Sequence, residues 1–303
     1  MKLNIDQNKS QGDPYVIKAN GMYYMYATHV KGVQLYKSQD KINWDFLGFC
    51  YSKQGEMDYW APAVIEIDGR FYLYYSSMAE TEEDVHKERI CVAEGSSPEG
   101  PFEFVKELIE PFSIDPHVVK SGGELFMFYS VNDYDAERAG TLIVVDKMVS
   151  PTQMEGNPKV AVRATLDEEI FMKDRFKQGQ HWHTLEGAFY LEKDGYHYLM
   201  YSGNCYQNEN YYIGYAVCKS EEKDLTKLQF KKYPDEQTYC PLICKNETEE
   251  GTGHHSVLEE NGKYYVFYHG RSKGLNTQTD IDTRTARICE LTAVNGVLAV
   301  NGR

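Results

Sequence analysis

Three carboxylates and a histidine stand out by the runs they introduce. Asp13 in "GDPYVI" (12–17) and Asp115 in "SIDPHVV" (113–119) each lead through a proline into an apolar stretch. Glu186 in "LEGAFY" (185–190) and His254 in "GTGHHSV" (251–257) lead into similar stretches. Paired carboxyl groups suit cleavage of a glycosidic bond: an ionised one activates water while a protonated one donates to the leaving oxygen. Their pKa values must be pushed apart, and a third carboxylate can do that by charge repulsion. Glutamate, one methylene longer than aspartate, reaches further toward a leaving group. A lone Asp–Pro is an ordinary turn or cap, so the case depends on what brings these residues together.

A repeat does so. Five segments share an apolar anchor, a short polar turn with glycine and an aromatic strand: 15–28, 63–76, 117–130, 188–202 and 256–270. Their anchors are Val16, Val64, Val118, Phe189 and Val257, and their glycines Gly21, Gly69, Gly123, Gly195 and Gly262. The anchor-to-glycine spacing is 5, 5, 5, 6 and 5 residues. Each segment reads as a β-hairpin. The anchors lie 48, 54, 71 and 68 residues apart, room for a four-stranded sheet with loops, which is the size of one propeller blade. The pattern predicts an all-β, five-bladed β-propeller, a single catalytic domain over 1–303, with blades at 1–50, 51–108, 109–178, 179–246 and 247–303. Helical periodicity is weak; "TLDEEIFMKDRF" (165–176) has some helical character but lies between repeats and reads as a loop insertion. Three residues before each anchor stand Asp13, Ala61, Asp115, Glu186 and His254, a predicted ring where the blades converge. Proline at a strand entry needs no ladder N–H, which accounts for Pro14, Pro62 and Pro116. Like charges around a narrow channel destabilise a fold, so three acids there call for a chemical role.

Composition narrows the classes. The 303 residues are 42% apolar and include 25 tyrosines, which suit strand-built cores and surfaces that meet sugars. The formal charge of −14 speaks against nucleic acid and anionic membranes as partners. No window reaches the roughly 18 apolar residues of a membrane span. The start, "MKLNIDQNKSQGDPYV", lacks the apolar stretch of a secretion signal, so a cytoplasmic protein is expected unless a leader has been trimmed. Seven cysteines without a CxxC pair read as free thiols.

The motifs "GDPYV", "YWAPAV", "IDPHVV", "LEGAFY" and "GTGHHSV", in this order across nearly the whole chain, resemble glycoside hydrolase family 43. The resemblance implies a five-bladed propeller and an inverting hydrolase of arabinose- or xylose-containing plant glycans. It implies Asp13 as general base, Asp115 as the carboxylate that tunes the acid, and Glu186 as general acid. It implies His254 as an axial histidine holding a calcium or other cation, through water; the chemistry itself requires no cofactor. It also implies an arginine late in the last blade, for which "DTRTARI" (282–288) offers Arg284 and Arg287, with Arg284 favoured. Ala188 and His255 depart from the family's usual residues. No extra β-sandwich follows the motifs, which favours an α-L-arabinofuranosidase or arabinanase over a β-xylosidase or exo-galactanase. Trp60 reads as a stacking wall for a sugar ring. His183 and His269 are candidate substrate contacts, each with a packed loop or strand histidine as the alternative. Tyr211 and Tyr212 read as strand residues. Two readings of other classes stand beside the hydrolase: a non-catalytic glycan-binding propeller and a glycoside phosphorylase.

Overall fold

Every glycine turn that the repeat predicts is present. Asn20–Gly21, Asp68–Gly69, Gly122–Gly123, Asp194–Gly195 and Asn261–Gly262 all have positive φ at both residues. That is the type I′ geometry, whose twist matches that of the strands it joins. The computed structural model describes residues 1–6, 9–275 and 282–303. Among these there is no α-helix, and no helix long and apolar enough to cross a membrane.

Twenty-two strands form five antiparallel units in chain order. The first unit is β1 (Tyr15–Ala19), β2 (Met22–Ala27), β3 (Val33–Ser38) and β4 (Asp45–Tyr51). The second is β5 (Glu56–Ile67), β6 (Arg70–Ala79), β7 (Arg89–Gly95) and β8 (Glu103–Ile109). The third is β9 (Ser113–Ser121), β10 (Glu124–Asp133) and β11 (Gly140–Ser150), with short β12 (Gln153–Met154) and β13 (Lys159–Val162) against β11. The fourth is β14 (Ile170–Met172), β15 (Trp182–Lys193), β16 (Tyr196–Gly203), β17 (Tyr212–Lys219) and β18 (Lys231–Lys232). The fifth is β19 (Glu249–Glu260), β20 (Lys263–Ser272), β21 (Thr285–Val294) and β22 (Val297–Asn301). A parallel pairing of Gly140 and Thr141 with His183 and Thr184 joins the third and fourth units into one ten-stranded sheet.

The first strands of the units are neighbours in turn: β1 with β5, β5 with β9, β9 with β15, β15 with β19, and β19 with β1. Strand alternation sends successive side chains to opposite faces, and here each face meets a different unit. Tyr24 and Tyr26 pack toward the second unit, whereas Tyr23, Met25 and Ala27 pack toward the fifth. The buried apolar residues accordingly fall into five clusters, one between each pair of adjoining units. Most tyrosines are spent there, with rings in the core and hydroxyls on hydrogen-bond acceptors, as for Tyr26 on the Pro98 carbonyl. Residues 1–6 and 9–12 tie the first unit to the last: the Ile288 N–H donates to the Met1 carbonyl and the Gln11 N–H to the Arg284 carbonyl. All seven cysteines are free.

The stretch 165–176, read as a loop insertion, carries one 3-10 turn, Asp167–Glu169, followed by β14. Glu169 holds it in place. Its side chain turns inward, accepts from the Thr165 and Leu166 N–H groups and pairs with buried Lys232. A helix would have carried that carboxylate away from its partners.

Candidate active site

The first strand of each unit is broken at one equivalent point. Asp13 (φ 57°), Ala61 (45°), Asp115 (59°), Gly187 (61°) and His254 (39°) all occupy the left-handed region. The ladder shifts register there in β5, β9, β15 and β19. For residues other than glycine this conformation costs about 1–2 kcal/mol, and such strain persists where the surroundings over-determine it. The surroundings are visible in four of the five. The amide that each bulge frees from the ladder finds a side chain: Asp13 donates to His269 Nδ1 (3.1 Å), Ala61 to Thr28 Oγ1 (2.8 Å), Gly187 to Asp115 Oδ2 (2.8 Å) and His254 to Ser202 Oγ (2.8 Å).

This corrects the predicted ring at one position. Gly187, not Glu186, is the fourth member. The anchors Val16, Val64, Val118 and Val257 pair across their hairpins with Met25, Leu73, Met127 and Val266, and the equivalent pair in the fourth unit is Tyr190–Leu199. Tyr190 also packs against the preceding unit as the other anchors do, while Phe189 faces the next one. Counting from Phe189 therefore displaced the ring by one residue. Glu186 stands beside the ring, level with Trp60 and Ile114, which precede Ala61 and Asp115 in the same way.

A cavity of about 120 Å³ opens over this ring, walled by Asp13, Trp60, Asp115, Glu186, His254 and Arg284, with Thr28, Tyr206 and Tyr211. Asp13 is buried, yet opposing effects leave it ionised. Burial raises its pKa, but the Arg284 guanidinium (Nη1 3.0 Å from Oδ1) pulls it well below the usual carboxylate range. Thr28 donates to its other oxygen at 2.5 Å. Burial pushes His269 down to about 4, so its ring is neutral and Nδ1 accepts the Asp13 amide.

The other two acids behave oppositely. Burial and then the charge of Glu186 push Asp115 well above the carboxylate range. Burial pushes Glu186 up to about 7, with the charge of Asp13 adding to the rise. The Tyr211 hydroxyl donates to Glu186 Oε1 at 2.7 Å and opposes that rise. Tyr211 reaches this place because residue 253 is glycine; a Cβ there would lie 1.9 Å from its ring.

The sequence reading of the site is met unevenly. Asp13, Asp115, Glu186, His254, Trp60 and Arg284 converge on one cavity. Arg287 does not; it lies buried against Glu249. His269 is fully buried behind Asp13, stacked on Tyr211 at 5.6 Å, and does not line the cavity. His183 is also buried, contacts the Ala139 carbonyl and accepts from Arg138, and faces a separate groove. Thr28, Tyr206 and Tyr211 escaped the sequence reading. Only Gly253, the residue before His254, hinted that something large had to pass. His254 turns Nδ1 toward Asp13 (3.4 Å) and Asp115 (4.0 Å). Among the described residues no three His, Cys, Asp or Glu side chains are arranged to hold an ion. This donor set does not fit a directly bound axial cation, and no chemical step is derived through one.

A carboxylate kept ionised and a carboxyl kept protonated over one cavity are the two groups that glycosidic hydrolysis uses. The all-β architecture and its structural neighbours define a β-propeller glycosidase. The chain belongs to family 43 of the glycosyl hydrolases, whose model matches residues 7–297. An extracellular exo-α-(1→5)-L-arabinofuranosidase of Cellvibrio japonicus is 23% identical over 85% of this chain and 78% of its own length. An extracellular endo-α-(1→5)-L-arabinanase of Thermotoga petrophila is 26% identical over 34% of this chain; the match spans 26% of that longer protein. Among solved structures, a thermostable family-43 glycoside hydrolase superposes with a TM-score of 0.81 at 28% identity, covering 97% of this chain and 93% of that one. An endo-1,4-β-xylanase of Bacteroides thetaiotaomicron gives 0.79 at 25% identity, covering 98% and 96%.

Proposed function

We propose that the chain is a five-bladed β-propeller, one catalytic domain over 1–303, and an inverting hydrolase that releases L-arabinose units from arabinan-type glycans. Asp13 is the general base, Glu186 the general acid, and Asp115 the group that tunes and orients the acid. The observation that carries this reading is the split in protonation: Asp13 ionised beside Arg284, Glu186 holding its proton to about 7. The acid would protonate the leaving oxygen while the base takes a proton from water on the opposite face of the sugar. Arg284 keeps the base charged, His254 bridges base and modulator, and Trp60 offers a flat face to the sugar ring. The blade count rests on the five units, their cyclic neighbours and the five interleaved cores. The arabinan preference rests on the two curated relatives, and their extracellular naming pulls against a cytoplasmic location.

A second reading, action on β-xylosides, is supported by the xylanase of similar fold. A screen of 4-nitrophenyl α-L-arabinofuranoside, 4-nitrophenyl β-D-xyloside and debranched arabinan separates them. Turnover of the arabinoside and trimming of arabinan are expected. Dominant xyloside turnover installs the second reading, and glycan binding without cleavage reduces the protein to a binding module. Proton NMR of the first-formed sugar should show the inverted anomer; a retained anomer sinks the roles given to Asp13 and Glu186.

A further inference from the structure

We infer a second sugar-binding surface on the leaving-group side of the cavity, built by Tyr134 and Phe176 over Trp182, which takes the polymer chain beyond the bond that is cut. The inference rests on the proposed reaction for its direction and on geometry for its existence. Tyr134 and Phe176 are 54% and 56% exposed, whereas Trp182 beneath them is 2% exposed. The Tyr134 and Phe176 rings lie 5.1 and 5.8 Å from that of Trp182 and 6.4 Å from each other. The Arg175 guanidinium sits 4.5 Å over Trp182 and 5.4 Å from Phe176, a cation–π clamp that stiffens the cluster. Two large exposed rings packed on a buried tryptophan form an apolar patch of the kind that marks an interaction site.

The chain links the cluster to the cavity on two sides. Trp182 lies on β15, four residues before Glu186 and so about 13 Å up the same strand. On the other side, Arg175 Nη2 donates to His86 Nε2 at 2.8 Å, and His86 faces Phe112, two residues before the cavity wall at Ile114. The surface therefore lies above Asp115 and Glu186 and away from Asp13. Under the proposed mechanism the acid contacts the oxygen that leaves, so a chain bound here is the leaving chain, extending more than one ring past the scissile bond. Next to the rings an open groove of about 560 Å³ runs between the loops 133–140 and 174–183, lined by Glu137, Arg138, Lys177, Gln178, Gln180 and His181 over His183. Polar donors and acceptors beside flat apolar rings suit sugars, whose C–H faces stack and whose hydroxyls donate and accept.

The test is Tyr134→Ala and Phe176→Ala, singly and together; both side chains are exposed, so the fold should survive, as circular dichroism can verify. Against 4-nitrophenyl α-L-arabinofuranoside or β-D-xyloside, kcat/KM should stay within about two-fold. Against debranched arabinan, or linear xylan if the xyloside reading prevails, the double variant should lose about ten-fold or more, carried by KM. Affinity electrophoresis through gels containing each polymer, on a Glu186→Gln background, provides a readout without turnover: the parent should be retarded and the double variant should not. If no substrate is cleaved but retardation depends on Tyr134 and Phe176, the surface stands and the reaction assignment falls. Equal losses on the aryl glycoside and the polymer, or unchanged retardation, overturn the inference. So does self-association in sedimentation that the same substitutions abolish, because the occupant would then be a second copy of the chain.

Discussion

Asp13 and Asp115 occupy the same structural position two units apart, with the same left-handed backbone and the same following proline, yet they carry opposite charge states. Asp13 faces Arg284, His254, Thr28 and the His269 ring. Asp115 faces Glu186, and its one strong donor is the Gly187 amide. Both lose solvent, which by itself favours the neutral form; the cation reverses this for Asp13 and nothing comparable does so for Asp115. The ring thus supplies equivalent attachment points, and the side chains arriving from β20 and from the residues just before β21 and β17 decide which acid ionises. Glu186 joins the protonated half because burial, aided by the charge of Asp13, outweighs the Tyr211 hydrogen bond and Arg284, which both favour its ionised form.

The hardest test of this contrast is removal of each half. Asp13→Asn should slow every substrate, since water must be activated whatever leaves. Glu186→Gln should cost about 10²–10⁴-fold on a natural glycan and far less on a 4-nitrophenyl glycoside, whose phenolate leaves without a proton. Equal loss on both substrates in Glu186→Gln would falsify the division of labour. Next in size is Arg284→Met. Without the guanidinium the Asp13 pKa rises, so the acidic limb of the kcat/KM profile should move up by about 1 unit or more. Arg284 also lowers the pKa of Glu186, so the basic limb should rise with it, and the whole bell should shift toward higher pH.

Asp115→Asn should leave both limbs in place, the basic one near 7, because Asp115 is itself protonated and presents no charge to Glu186; the loss should fall on kcat, through the position of Glu186 and Gly187. A basic limb that fell instead would mean that Asp115 is ionised in the working enzyme and raises Glu186 by like-charge repulsion. Stability should show the same asymmetry. Glu186 is raised when folded, so the native state holds a proton that the unfolded chain loses, and stability falls as pH rises between the ordinary glutamate range and about 7. Glu186→Gln should therefore raise Tm relative to the parent at pH 8 and raise it less, or not at all, at pH 4.5. For Asp13 the sign is opposite: its stabilisation is present above the ordinary aspartate pKa and is lost as pH falls toward its depressed native value. The smallest expected effect is that of Tyr211→Phe. It deletes a hydrogen bond that favours ionised Glu186, so the basic limb should rise by a fraction of a unit.

Much of this was legible in order along the chain. Hairpins follow from glycine turns flanked by aromatic strands, because φ > 0 is cheap at Gly and Asn and the strand period is local. The five motifs placed Asp13, Asp115, Glu186, His254 and Trp60 at one end of the structure for the same reason: a repeat brings equivalent residues to equivalent places. Counting from Phe189 failed by one residue at Gly187; the anchor-to-glycine spacing of 6 in that copy, against 5 in the others, is the mark that Tyr190 is the equivalent anchor.

What the sequence determined by itself was the set of carboxyl groups and the strand entries that hold them, since turn chemistry and alternation act between near neighbours. Only the tertiary structure decided their charges. Arg284 lies 271 residues from Asp13 and Tyr211 reaches Glu186 across a space left by Gly253. It likewise withdrew His269 and His183 from the cavity, by burying one behind Asp13 and the other against Ala139 and Arg138. A pKa depends on distance and burial in space, and neither is a property of position along the chain.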